Sequence, residues 1–440
     1  MPAPTPVPDI QDQPKRVDVV IIGAGIAGIS TAIELSKRGL RVAVCEKGIV
    51  AGEQSSRNWG WCRQMGRDPR ELPLMQVSMQ LWRQMHQLTG EDVGYRECGI
   101  VYLCDTQSQL EKRQNWFDNY ASEFGLSSRM ISPAESHQFT PDAAVKWLGG
   151  LYTPDDGRAE PTLAVPAMAR AAQRTGVIVL QNCAVRTLVR QAGKVSGVIT
   201  EQGEIACDNV VLTGGAWSRR FCHNIGIALP QLTVINSVMR TEPIKTGVDT
   251  SVSVEDFAIR KRIDGGYTLA HGTLSVADIM PDSFRLLPDY WPLLRDEWRD
   301  YKIRLGQRFL DEARLKRRWW EDEISPFELV RILDPQPNSS IQTACLHALK
   351  KALPVFNGVQ ITEQWGGAID VTPDVVPVIS QVDELEGFFI ATGFSGHGFG
   401  LGPGAGRLMS EIVCGEQPCV DPEPFRYQRF AKGRAYALSQ

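Results

Sequence analysis

The stretch "RVDVVIIGAGIAGISTAIELSKRGLRVAVCEKG" constrains the fold of this chain more than any other. Val17 to Ile22 is a β-branched, largely apolar run that suits a strand buried on both faces. The glycine turn 23–28 follows, Ile26 to Arg38 repeats its apolar positions at helical spacing, Gly39 closes that helix, and Arg41 to Cys45 gives a second strand. Two strands joined by a crossover helix require a parallel sheet, and so an α/β domain.

The turn itself carries chemistry. In Gly23-Ala24-Gly25-Ile26-Ala27-Gly28, Gly23 permits the tight turn, Gly25 lets a pyrophosphate approach the backbone at the helix N-terminus, and Gly28 lets helix and strand pack closely. Glu46 ends the second strand, where it would accept hydrogen bonds from ribose hydroxyls. A close-packed turn alone would explain the glycines but not the acid. An acid there also disfavours a 2′-phosphate, which leaves FAD or NAD as the dinucleotide. The following loop, "AGEQSSRNWGWCRQMGRD", offers Ser55, Ser56, Arg57 and Asn58 as donors beside a pyrophosphate. A merely solvated loop would seldom carry Trp59 and Trp61.

At 440 residues the chain exceeds one ordinary core. A second block, 161–217, reads as a helix opening at Pro161, short strands at 177–180, 184–190 and 195–199, and a buried strand in "CDNVVLTGGAW". A third, 363–415, contains the strand "GFFIAT", a glycine stretch and a helix from about Pro403 to Cys414. Residues 71–140 are rich in Gln, Met and Trp, and 284–323 form a charged stretch with helical periodicity. The expected architecture is a Rossmann-like dinucleotide-binding domain assembled from 17–70, 145–235 and 346–430. An α+β substrate domain with a mixed or antiparallel sheet would come from 71–144 and 236–345. Residues 1–16, proline-rich and polar, read as a disordered lead without a signal-peptide core.

A net charge of −4 with interspersed signs gives no reason to expect a nucleic-acid partner. The ten cysteines include no C-x-x-C pair and show no ligand spacing with the six histidines, so no metal is expected and reduced thiols suit a cytoplasmic protein. No apolar run approaches the roughly 20 residues that span a bilayer, which leaves peripheral contact at the inner membrane face as the compatible association.

"GFSGHGFGLGPGAG", residues 393–406, has seven glycines, each costing roughly 0.5–1 kcal/mol against alanine in a regular element. Together with the fingerprint, the serine-rich loop and "VVLTGGAWS", it resembles the FAD-dependent D-amino-acid oxidase superfamily, which includes glycine oxidase, sarcosine oxidase and γ-glutamylputrescine oxidase. The resemblance implies FAD and a glycine segment that wraps the pyrimidine edge of the flavin and feeds a helix whose positive end points there. It implies cofactor contacts at Lys47, Val185, Gly214, Trp217, Gly393, Gly396, His397, Gly398, Phe399 and Gly400. His397 has two readings, as a group packed on the flavin or as a histidine satisfied by main chain.

Three departures from sarcosine oxidase stand out. The cysteine that carries flavin there falls at Gly367, so FAD is expected to be non-covalent. The lysine that binds substrate carboxylate falls at Gly400. The lysine beside the flavin falls near Thr268, leaving His271 as the nearest ionisable neighbour and favouring a quinone or other acceptor over oxygen. The reaction implied is oxidation of a C–N bond in an amine or amino acid, of the secondary-amine, D-amino-acid or γ-glutamyl-amine type, with His271, His397 and Arg63 as candidate catalytic groups and Arg63 or Arg67 as carboxylate partner. A 2-hydroxy-acid dehydrogenase of the same fold and a flavin-binding subunit of a multi-subunit amine oxidase are the alternatives. Substrate handedness and oligomeric state stay open.

Overall fold

The computed structural model describes residues 2–9 and 12–430. The parallel sheet that the β-α-β unit requires has six strands, in the order Val378–Gln381, Phe388–Thr392, Asn209–Leu212, Val19–Ile22, Val42–Cys45, Ile178–Leu180. Val19–Ile22 lies at its centre, parallel to both neighbours, while the edge strand Val378–Gln381 runs antiparallel. Central position explains the apolar run. Val19 and Ile21 pack into the core beneath the helices Ile26–Lys37, Pro161–Arg174 and Gly398–Cys414, whereas Val20 and Val210 face a second core built with the meander 185–206.

The second domain is organised by a mixed ten-stranded sheet. Its central strand, Leu232–Thr241, pairs with Tyr267–Ala270 on one side and Ile361–Val371 on the other. Strands Gly149–Thr153 and Ile361–Val371 belong to this sheet, although the sequence reading placed their segments in the dinucleotide-binding domain. Helix Ser339–Ala352 also packs here, its Cys345 and Leu349 sharing one apolar cluster with Val101 and Leu269. Ile361–Val371 is long enough to serve both domains, and its last residues reach the cavity described below.

Two further expectations are corrected. The stretch 284–323 is broken into helices Leu287–Glu297 and Gln307–Arg314 around the strand Tyr301–Arg304, which pairs in parallel with Ser275–Asp278. The N-terminal lead is docked rather than disordered over residues 2–9. Thr5 donates its amide to Thr162, and the carbonyls of Pro6 and Pro8 accept from Arg170 and Gln173 at 2.7 and 2.6 Å. Prolines lose a donor but keep an acceptor, which side chains of the 161–174 helix satisfy.

Candidate flavin site

A cavity opens where the carboxyl ends of the parallel strands meet the second sheet. At one end stands the glycine turn. Gly23 has φ +106°, and a Cβ there would lie 2.7 Å from the Thr213 carbonyl oxygen. Gly28 packs still closer, since its Cβ would sit 2.0 Å from the Gly23 carbonyl oxygen, and it lies outside the cavity lining. Gly25, Ile26 and Ala27 line the cavity at the N-terminus of the fingerprint helix, and the Ser55 hydroxyl accepts from the Ile26 amide at 3.0 Å. Helix-start amides have no acceptor within the helix, so this end is suited to an anion.

Glu46 closes the same end. Its two carboxylate oxygens accept from the Ala24 and Gly48 amides, each at 2.8 Å. Burial pushes its pKa up, with Lys47 opposing that shift. A carboxylate has about four lone-pair positions, so two stay open for ribose hydroxyls. Lys47 itself bonds Glu53 at 2.6 Å and lies 4.5 Å above the Trp217 ring, whose indole NH also donates to Glu53. Glu53 was not anticipated from the sequence, yet it joins Lys47 and Trp217 into one wall. Asn58, Val185 and Gly214 complete that part of the lining.

The other end is the C-terminal helix. It begins at Gly398, five residues earlier than the sequence suggested, and runs through Pro403. Its start is legible only with its neighbours. Ser78 and Trp82 donate to the Gly400 carbonyl at 2.6 and 2.9 Å, and Ser78 accepts from the Gly404 amide, so side chains replace ladder bonds there. Gly396, Gly398 and Phe399 line the cavity. Gly400 does not, because its Cβ position faces the Trp61 carbonyl and Met75. Gly402 and Gly406 face Ile26 and Ser30 of the fingerprint helix, and Gly404 faces Leu74 and Ser78. Most of these glycines therefore serve helix contact. Positive φ occurs at Gly393 and Gly396, not at Gly398 or Gly400.

Several sequence candidates lie away from the lining. Gly393 donates its amide to Asp370 at 2.6 Å, behind the wall. Ser56 bonds the Glu53 carbonyl, and Arg57 is buried in an ion pair with Asp334 at 2.9 Å. His397 turns its Nδ1 to Glu71 at 2.8 Å, and burial together with Arg67 and Arg63 lowers its pKa. Arg63 donates to the Met65 carbonyl and stacks over Tyr102. His271 accepts from the amides of Thr273 and Leu274. The ionisable neighbour of Thr268 is instead Arg260, whose guanidinium donates to the Thr268 hydroxyl at 3.0 Å.

Three features escaped the sequence reading. Asp370 lines the cavity and is anchored by Gly393, Thr392 and Gln231. Gln54 lines it too and presents a buried Oε1 that has no donor among the described residues. Arg260, held by Glu160 at 2.8 Å, lies beside Gly60, and its Nε and the Trp61 Nε1 are buried donors with no acceptor among the described residues. No periodicity or motif marks these residues, because they converge from three distant segments.

The donor set fits FAD. Backbone amides at a helix start suit the pyrophosphate, Glu46 suits the ribose, and the 398–399 amides suit the polar edge of a flat ring. At Gly367 a Cβ would sit 2.4 Å from Gln54 Oε1, so no side chain is available there for a covalent link.

Among solved structures, the chain is similar to L-amino acid deaminase from Proteus myxofaciens in complex with anthranilate. Identity is 34%, the TM-score is 0.92, and the match covers 98% of this chain and 96% of that one. L-amino acid deaminase from Proteus vulgaris is similar at 33% identity and a TM-score of 0.92, covering 96% of this chain and 100% of that one. Sarcosine oxidase subunit beta from Arthrobacter sp is 24% identical, over 95% of this chain and 92% of that protein. The chain spans only 46% of 4-methylaminobutanoate oxidase (formaldehyde-forming) from Paenarthrobacter nicotinovorans and 42% of mouse mitochondrial sarcosine dehydrogenase. Among the described residues, no helix is long and apolar enough to cross a membrane. With residues 18–412 matching its model, the chain belongs to the DAO family of FAD-dependent oxidoreductases.

Proposed function

We propose that this protein oxidises the C–N bond of an L-α-amino acid, using non-covalent FAD and yielding an imine that hydrolyses to a 2-oxo acid and ammonia. The single observation that carries the reading is the likeness over 98% of the chain to an L-amino acid deaminase. Bound FAD supplies the two-electron acceptor that takes hydride from the α-carbon.

The chain's own residues bind, orient and exclude water. The Gly25 amide and the Ser55 hydroxyl, which the Ile26 amide orients, hold the pyrophosphate, and Glu46 holds the ribose. The start of the 398–414 helix places positive potential at the ring's polar edge. On the sheet face covered by Trp59 and Trp61, Arg260 Nε and Trp61 Nε1 are buried donors outside the cavity lining, so they belong to the wall rather than to the substrate contacts. The Trp59 indole is fixed by Asn236 at 3.1 Å, so that wall is rigid. The lining carboxylates Glu46, Glu53 and Asp370 are all engaged by donors. The substrate therefore enters as the free amine, its ammonium proton lost to water. With Arg260 beside Thr268, no lysine stands there to assist oxygen, and the acceptor proposed is a quinone.

Anaerobic mixing of the FAD-loaded protein with L-amino acids should bleach the flavin and release ammonia and 2-oxo acid in equal amounts. Reduction by sarcosine or D-amino acids alone, or by 2-hydroxy acids without ammonia, would overturn the reading. A second reading, a flavin subunit of a larger amine oxidase, is favoured by the 92% coverage of sarcosine oxidase subunit beta and requires that no amine reduce the isolated chain. Peroxide formation at the full rate of turnover in air would refute the quinone assignment. Acid precipitation should leave the yellow colour in the supernatant.

A further inference from the structure

A second cavity lies between the helix Ser218–Asn224 and the segment 280–317, and shares Ala216 and Trp217 with the flavin cavity. Its charge is one-sided. Arg219, Arg220, Arg285, Arg308 and Arg317 face only Asp282 and Glu312, leaving three positive charges uncompensated within the lining. Asp282 is shared by Arg219, Arg285 and Arg317 at 2.8, 2.9 and 3.3 Å. Glu312 is taken by Arg220. Among the described residues Arg308 reaches only Asp278, at 3.4 Å, and Arg304 already holds that carboxylate at 2.7 Å.

Asp282 and Asp278 are thus oversubscribed. Packing cations around too few anions is unfavourable unless a further anion joins them. The field is felt locally, since burial and the neighbouring Arg219 and Arg318 lower the pKa of His223 in the same wall. Guanidinium forks match the planar or tetrahedral oxygens of carboxylate and phosphate. Leu232, Met280 and Leu333 supply an apolar side that would accept a short carbon skeleton.

We propose that this cavity binds a small, multiply charged oxyanion, a phosphate ester or a di- or tricarboxylate. Arg285 and Arg317 stand at the mouth, 52% and 35% exposed, and Arg219, Arg220 and Arg308 lie deeper. Occupancy is sensed by the flavin site along a defined route. The Arg219 amide donates to Gln231 Oε1 at 3.1 Å, and Gln231 Nε2 donates to Asp370 in the flavin wall at 3.1 Å.

The FAD-loaded protein should be titrated calorimetrically at low ionic strength with pyrophosphate and, separately, with citrate. Saturable one-to-one binding of either, accompanied by a small change in the flavin spectrum, is expected. Pyrophosphate alone would mark a phosphate-bearing ligand, and citrate alone a polycarboxylate. The double variant Arg285→Gln/Arg317→Gln should weaken binding roughly tenfold or more per arginine removed while retaining FAD. Ala313→Phe, on an exposed wall position, keeps every charge but fills the space, and should also abolish binding. Failure of both probes to bind, or binding unchanged in both variants at fixed ionic strength, would overturn the proposal.

Discussion

Alanine at Gly406 and alanine at Gly398 should have opposite consequences, although both positions lie in one helix. At Gly406 an added Cβ would lie 2.4 Å from Ser30 Cβ, 2.5 Å from its carbonyl carbon and 2.6 Å from the Thr31 nitrogen. Carbon atoms rest at about 3.5–4.0 Å, so the two helices would have to separate by about 1 Å against backbone that cannot rotate away. Overpacking of this kind costs about 1–3 kcal/mol, and contact with main chain belongs at the upper end. Replacing glycine by alanine in a helix returns about 1 kcal/mol. The net expectation is a loss of about 2 kcal/mol, in apo and FAD-loaded protein alike, with an unaltered flavin spectrum. At Gly398 the nearest atom is the Phe394 Cβ at 3.0 Å, a side chain that lines the same cavity. Apo stability should hold, while FAD affinity falls on the order of tenfold, about 1.4 kcal/mol. Urea unfolding of apo and loaded protein, with flavin titration, measures both. A Gly406→Ala protein as stable as the parent would refute the packing account, and native FAD affinity and spectrum in Gly398→Ala would refute placement of that residue against the ring.

Glu46 has a raised pKa through burial, so in mildly acidic solution it gains a proton and loses acceptor capacity. FAD affinity should therefore rise with pH through that raised value and level off above it, whereas Glu46→Gln should bind weakly at every pH, as read by flavin fluorescence. Asp156, wholly buried, is pushed up to about 6 from 3.8. The folded state then holds a proton that the unfolded chain has released, so stability falls as pH rises from about 4 to about 6, by up to about 3 kcal/mol. Asp156→Asn should lack that slope in urea unfolding at several pH values, and parallel curves for the two proteins would count against it. Arg260→Lys keeps a cation for Glu160 but loses the fork of a fully buried pair, and should lower stability by about 1–3 kcal/mol in urea unfolding. An unchanged unfolding midpoint would count against that account.

What the sequence revealed and what it concealed divide by range. Gly23, Gly25 and Glu46 were legible because strand, turn, helix and acid are consecutive, and each does its work on atoms within one β-α-β unit. Asp370 and Gln54 were not, because the cavity brings a strand of the second sheet against a loop more than three hundred residues earlier in the chain. The domain limits erred for a related reason: Ile361–Val371 pairs in the second sheet along most of its length and reaches the flavin cavity only at its end. His271 and Arg63 were proposed from ionisable character alone. In the fold both are satisfied by nearby main chain, amides for His271 and a carbonyl for Arg63. The 398–414 helix was begun too late because glycine and proline ordinarily break helices, and its compensation comes from Ser78 and Trp82, three hundred residues away.

That same helix removes an apparent choice between glycines for packing and glycines for the cofactor. Gly402 meets Ile26, the first residue of the fingerprint helix, and Gly406 meets Ser30 one turn further along. Backbone contact at those positions brings the two helices so close that both N-termini open on one cavity, Ile26 at one wall and Gly398 at another. Larger residues at 402 and 406 would part the helices and carry the two helix starts away from each other. One start is suited to a pyrophosphate and the other to the polar edge of a flat ring, and the distance between them must match a single dinucleotide. The packing glycines set that distance. The cavity glycines, 396 and 398, then only have to leave room for what the paired helix ends hold.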